Sequence, residues 1–171
     1  MEELKPLNVI HRIDQRHVLL GELTGGVLEL KKLHFAVSKI NLHNAVSEKI
    51  QGQFNVARNM AIYTYFMYSL APEVHMKTYS VMEMALREFY GGDTKTNLKY
   101  LVRRAVDAGV IQDSGFRHVP ADPENTYSKK LVEVFPKLRN TMAHGTSMLM
   151  PDCVGHIEKC ADFINQLFSG K

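Results

Sequence analysis

The chain has 171 residues, of which 45% are hydrophobic, enough for one domain with a real core. A formal net charge of +3 permits a polyanionic partner without demanding one, and lies far short of a histone-like excess. Only Cys153 and Cys160 are present, with no C-x-x-C pair, so neither a disulfide framework nor a thiolate zinc site is indicated.

The N-terminus, Met1-Glu2-Glu3-Leu4-Lys5-Pro6, is acidic where a secretory signal is basic and then apolar. The richest apolar run, Met60 to Ala71, is too short to span a bilayer. A soluble, cytoplasmic protein with no membrane partner is the expectation. Residues 1–42 are the hardest part to read. Val18, Leu20, Leu28 and Leu30 alternate around Thr24-Gly25-Gly26, which suits a β-hairpin, whereas Val27, Leu30, His34 and Val37 also fit a helical stripe. An extended or hairpin arm packed on the helices is the expectation for this stretch.

From Asn44 the helical signal strengthens. Ile50, Phe54, Ala57, Ala61 and Tyr65 recur at three or four, predicting a helix from about Ser47 to Ser69. Its second half is apolar nearly all round, which implies a central position or a partner subunit. Pro72 and Glu73 suit the first turn of the next helix, whose inward stripe is Tyr79, Met82, Leu86 and Phe89. Glu83 and Arg87 on that helix read as a modest surface pair, and Gly91-Gly92 stops it. Asp93 or Thr94 caps a third helix running to Ala108, with Leu98, Leu101, Val102 and Ala105 inward.

Lys95, Lys99, Arg103 and Arg104 lie together on that third helix with no acid until Asp107. They read either as a track for a phosphate backbone or as an ordinary solvated face. Gln112 to Asn125 is a loop fit to border a site. A helix from Thr126 to His144 follows, which Pro136 should kink or restart, and a last helix begins near Pro151-Asp152. His156 and Cys160 are four apart but lack a third metal ligand, and the tyrosines at 63, 65 and 68 fit core or interface better than base stacking. No metal and no cofactor are expected.

The most chemically loaded stretch is Leu138-Arg139-Asn140-Thr141-Met142-Ala143-His144-Gly145. Asn140 and His144 share a helix face, Arg139 sits one step round, and Gly145 can close the helix in the left-handed conformation. The set combines a fixed cation, a hydrogen-bonding orienter and a group that moves protons near neutrality.

Arg139-Asn140, three residues, then His144-Gly145 resembles the R-x(4–6)-H motif of the HEPN superfamily, the higher eukaryotes and prokaryotes nucleotide-binding domains. More loosely, the resemblance extends from about residue 45 to the C-terminus. It implies an all-α bundle of about five helices at 43–171, with residues 1–42 as the arm. It also implies a metal-independent endoribonuclease, a toxin or defence effector, acting on single-stranded RNA or tRNA. In that reading His144 is the general base or acid, Arg139 offsets phosphoryl charge and Asn140 orients the reactants. A homodimer would bring two motifs to one cleft, since one histidine supplies one of two proton transfers, and an antitoxin or regulatory partner would accompany it. Two other readings remain: a non-catalytic HEPN-like module that binds RNA, a nucleotide or a partner protein, and a structural helical dimer. In the last, Arg139 and His144 would be buried and mutually satisfied.

Overall fold

The computed structural model describes residues 3–93, 95–145 and 152–170. Within them the chain is all-helical, with α1 (Gln15–Thr24), α2 (Leu30–Ser38), α3 (Glu48–Tyr63), α4 (Ala71–Tyr90), α5 (Leu98–Asp107), α6 (Thr126–Ala143) and α7 (Cys153–Phe168). Thr94 and Pro151, expected near helix starts, lie outside the described residues. No described helix is long and apolar enough to cross a membrane.

The expected N-terminal hairpin is replaced by α1 and α2, and the reason is local. Asp14 caps α1 by accepting from the Arg16 amide, and Gly25 closes it at φ 83°. The amides of Gly25 and Gly26 both return to the Gly21 carbonyl, so the glycine pair is a helix stop rather than a strand turn. A β-carbon on Gly21 would lie 2.6 Å from the Val27 α-carbon, so the chain can fold back only over a glycine. Of the two periodicities, the helical one prevails in α2, which buries Leu33 and Val37.

Helix α3 starts at Ser47, whose hydroxyl accepts from the Ile50 amide, but it ends at Tyr63, six residues before the expected Ser69. The Thr64 hydroxyl donates to the Ala61 carbonyl at 2.7 Å, a local bond that competes with the helix ladder. Beyond that point the N-terminal segment takes over the backbone. Asp14 donates its amide to the Tyr65 carbonyl and accepts from the Tyr68 amide, and Lys5 reaches the Phe66 carbonyl. His17 lies against the Tyr65 and Tyr68 rings. Much of the all-round apolar character of Met60 to Met67 is therefore met by the chain's own first residues.

The central helix is instead α4, which packs against α3, α5, α6 and α7. Its start carries Pro72 and Glu73 in the first turn, as the sequence suggests, and Gly91 at φ 65° ends it. Tyr79 meets Phe135 of α6 at 5.5 Å between ring centroids, and Phe135 meets Phe163 of α7 at 5.7 Å. Such fully buried rings are each worth about 1.5–3 kcal/mol of transfer free energy. Tyr79–Phe135 and Glu83–Arg139 pair in ascending order, so α6 runs parallel to α4. The pairs His75–His156 and Phe89–Phe168 make α7 parallel to α4 as well. Ser47–Glu88 and Gln53–Lys77 make α3 antiparallel. The end of α6 thus lies beside the second half of α4, while the N-terminal segment lies beyond its first turn.

Helix α6 runs through Pro136 without restarting. Its first turn has no cap of its own, because Asn125 is left-handed at φ 51° and offers no side-chain cap bond. Asp113, from the preceding loop, does that work: its carboxylate accepts from the Tyr127 amide at 3.0 Å, the Ser128 amide at 2.7 Å and the Ser128 hydroxyl at 2.6 Å. The same loop is fastened to α7, where buried Asp162 accepts from the amide and guanidinium of Arg117. Burial alone would raise the Asp113 carboxyl, but the bonds from Ser128 and Tyr127 outweigh it and hold the group below its ordinary range.

Asp113→Ala should therefore cost about 2 kcal/mol and lower the melting temperature by roughly 5 °C. Asp14 behaves alike: burial would raise its carboxyl, but bonds from Arg16 and Tyr68 hold it far below the usual range. Both groups titrate lower in the folded chain than in the unfolded one. Their stabilisation is complete above the unfolded value near pH ~4 and is lost as pH falls below it. Thermal melts from pH 6 to pH 2 should show this loss, reduced in an Asp14→Asn/Asp113→Asn variant.

Candidate functional site

The Arg139–Gly145 stretch occupies the last turn of α6 and its exit. His144 is the residue that closes the helix, its amide donating to the Asn140 carbonyl at 3.1 Å, and Gly145 follows at φ 81°. The left-handed glycine is what the sequence anticipates, and it turns the backbone away immediately after the imidazole. Asn140 and His144 are both exposed, and Arg139 is partly so.

Arg139 is not free. Its Nε donates to Glu83 Oε2 at 2.9 Å, and one terminal nitrogen lies 3.4 Å from the Asn140 side-chain oxygen. The other oxygen of Glu83 takes Arg87, whose Nε and Nη2 reach it at 3.2 and 2.6 Å. Arg87 in turn donates to the carbonyls of Thr96, at 3.0 Å, and Asp93. One carboxylate, 14% exposed, thus holds two guanidiniums, and the second grips the turn before α5. With two cations to one anion, the cluster keeps one unit of positive charge beside the motif.

This cluster opens onto a cleft of about 670 Å³ lined by Lys49, Glu83, Arg87, Glu88, Gly91 and Arg139 among others. Three side chains with phosphate-binding chemistry therefore share one depression. Glu83 and Arg87 read as a routine surface pair in the sequence. Their i,i+4 spacing is a visible signal, but nothing in the sequence says that α6 delivers Arg139 to the same acid.

The cationic stripe is only partly realised. Helix α5 begins at Leu98, capped by Asn97, so Lys95 lies on the preceding turn and not on the helix. Its amide is held by Asp93, which also takes the amide and hydroxyl of Thr96. An Asx-type turn at Asp93 competes with the helix for those amides and delays its start. Lys99 and Arg103 both face Glu133 of α6, at 2.7 and 3.5 Å, and Arg104 lies over the Tyr90 ring at 4.3 Å. The four cations thus divide among a turn, an ion-pair network and a ring. The Arg87 grip on Asp93 and Thr96 connects only the Lys95 turn directly to the Arg139 cluster.

Arg58, and the His156 and Cys160 that share a helix face in the sequence, have structural neighbours. Arg58 Nη2 donates to the carbonyls of Val37 and Ser38, closing the end of α2. Cys160 Sγ lies 3.7 Å from the Thr78 carbonyl, and His156 stacks on His75 instead of turning to the cysteine. No group of three metal-binding side chains occurs among the described residues.

Glu83→Gln removes the charge that two arginines share. It should cost about 1–2 kcal/mol and release Arg139, seen by NMR as faster exchange of its Nε proton with water. An unchanged Arg139 Nε–H in that variant would show that the ion pair does not position the guanidinium. Comparison of the chain with protein-family models, curated protein sequences and solved structures finds no match.

Proposed function

We propose that this chain is a metal-independent endoribonuclease of the HEPN type, with Arg139, Asn140 and His144 as its reacting set. The observation that carries the reading is the exit of α6. There an exposed imidazole and an exposed amide stand at the end of the helix whose neighbouring arginine lines a cationic cleft. RNA cleavage without a metal needs a proton removed from the ribose 2′-hydroxyl, charge offset on the phosphoryl oxygens, and a proton for the departing 5′-oxygen. His144 serves the first or last step. Arg139, anchored through Nε and with one terminal nitrogen on Asn140, turns its other terminal nitrogen to the oxygens, and Glu83 is a positioning residue for it.

The exposure of His144 and the partial exposure of Arg139 count against a purely structural role, in which both would be buried and mutually satisfied. The Glu83 pair favours the second reading, a non-catalytic module that binds RNA, a nucleotide or a protein, because it partly neutralises Arg139 before any substrate arrives. The cations Lys95, Lys99, Arg103 and Arg104 would hold the RNA backbone in either case. Lys99 and Arg103 must then exchange Glu133 for phosphate, which both salt and Glu133→Gln would reveal. A toxin or defence role, and an antitoxin partner, belong to the same proposal.

A cleft shared by two copies would supply the second proton-transfer group. Sedimentation at micromolar concentration should therefore give twice the 19.4 kDa mass of the chain. A monomer under conditions where RNA is cut would remove the shared-cleft mechanism.

The catalytic assignment has its own test. The purified protein should cut RNA in excess EDTA, leaving a 2′,3′-cyclic phosphate and a free 5′-hydroxyl, and should spare DNA. His144→Ala should lose roughly two or more powers of ten in rate, and Arg139→Ala a comparable amount. Cutting by His144→Ala at the parent rate, or a requirement for added metal, would leave the binding module as the better reading.

A further inference from the structure

A second cavity, of about 370 Å³, lies between α4, α6 and α7 and shares no lining residue with the cleft at Arg139. Its walls are mostly apolar and aromatic, Tyr79, Tyr127, Leu131, Phe135 and Leu138 among them. Two histidines interrupt them. His75 is 4% exposed and stacks on His156 with ring centroids 3.9 Å apart and planes 15° from parallel. Both ring nitrogens of His75, and Nε2 of His156, are buried with no hydrogen-bond partner among the described residues. Each such orphan costs on the order of 1–3 kcal/mol, and native folds rarely keep one without a use.

We propose that this cavity is a binding site for a small, uncharged, planar heteroaromatic molecule, hydrogen-bonded by His75 and His156 and sandwiched by the aromatic walls. The chemistry of the walls selects that class. Burial, with Lys159 adding to it and Asp152 opposing, pushes His75 down to about 4. Burial, His75 and Lys159 push His156 down to about 3. Among the described residues, Asp152 and Lys159 are the charged groups lining the cavity, and their signs offset. At neutral pH each imidazole therefore carries one N–H and one bare nitrogen, so the pair offers donors and acceptors together. An anion would need donors alone, and a hydrocarbon would leave the nitrogens orphaned. A metal fits poorly as well, since stacked rings point their lone pairs along parallel planes and not at one centre. A flat ring with an amide or amidine-like edge satisfies both the nitrogens and the walls.

The site is independent of the ribonuclease reading, and the test keeps the two apart. Long-range proton–nitrogen NMR of the full chain reads the imidazole nitrogens directly. Adenine and nicotinamide are the probes, with toluene as the apolar control and benzoate as the anionic one. At least one probe should shift the His75 and His156 nitrogens saturably at millimolar concentration or below, and neither control should. His156→Phe keeps the stacked volume, so it should weaken binding tenfold or more while the melting temperature holds or rises. Leu131→Trp, which fills the cavity from α6 and leaves both histidines in the sequence, should abolish the shifts and serves if the first variant misfolds. His144→Ala should leave them intact. A short RNA that moves the same nitrogens at lower concentration than the free probes would identify the ring as a base of a polymer. Failure to do so identifies a free small molecule, and either result upholds the site. The proposal is overturned if no probe shifts the two imidazoles, if benzoate or toluene shifts them equally, or if the shifts survive both cavity variants.

Discussion

Glu83 sits on α4, the helix that α3, α5, α6 and α7 all pack against. Enclosure by α3, α5, α6 and α7 leaves a carboxylate on α4 little access to water, so its charge must be paired where it stands. Glu83 is paired twice, to Arg87 on its own helix and to Arg139 on α6. Through Arg87 the same carboxylate reaches the turn ahead of α5. Three connections thus converge on one acid at the level of α4 where the motif emerges. Replacing such a group by an apolar one is not neutral, because two cations would remain half-buried and uncompensated.

Much of this architecture is legible from spacing alone. The starts at Ser47 and Pro72, and the stops at Gly91 and Gly145, follow from cap chemistry and recur in the structure within a residue or two. Where the reading fails, a partner that spacing does not reveal overrides the pattern, close by in the chain at Gly21 and Asp93 and far along it at Asp14. Thr24-Gly25-Gly26 has turn chemistry that serves a hairpin or a helix stop equally, and only the fold-back onto Gly21 decides between them. The apolar run at Met60 to Met67 looks like a buried helix. It is broken because Asp14, roughly fifty positions away, takes the amide of Tyr68. Lys95 drops out of the cationic stripe because Asp93 competes for the first amides.

The functional residues divide along the same line. Arg139, Asn140 and His144 are visible because they are close in sequence. Glu83, Asp113 and the His75–His156 pair are invisible because their meaning depends on which helices lie together. Asp113 reads as a loop acid, yet it supplies the cap that Asn125 lacks. A spacing rule can find His156 and Cys160 at i and i+4, but not that the imidazole turns to α4 instead.

Pro136 gives α6 a property of its own. The proline deletes the amide that would bond the Val132 carbonyl, so the ladder is missing a rung between the Asp113 clasp and the Glu83 clasp. The two half-helices are then separate units for local opening, each with its own acid as the latch. Amide hydrogen exchange along α6 should break into two protection levels at the proline. Protonating Asp113 would loosen the half that bears Tyr127, while the half that bears Arg139 keeps the protection set by Glu83.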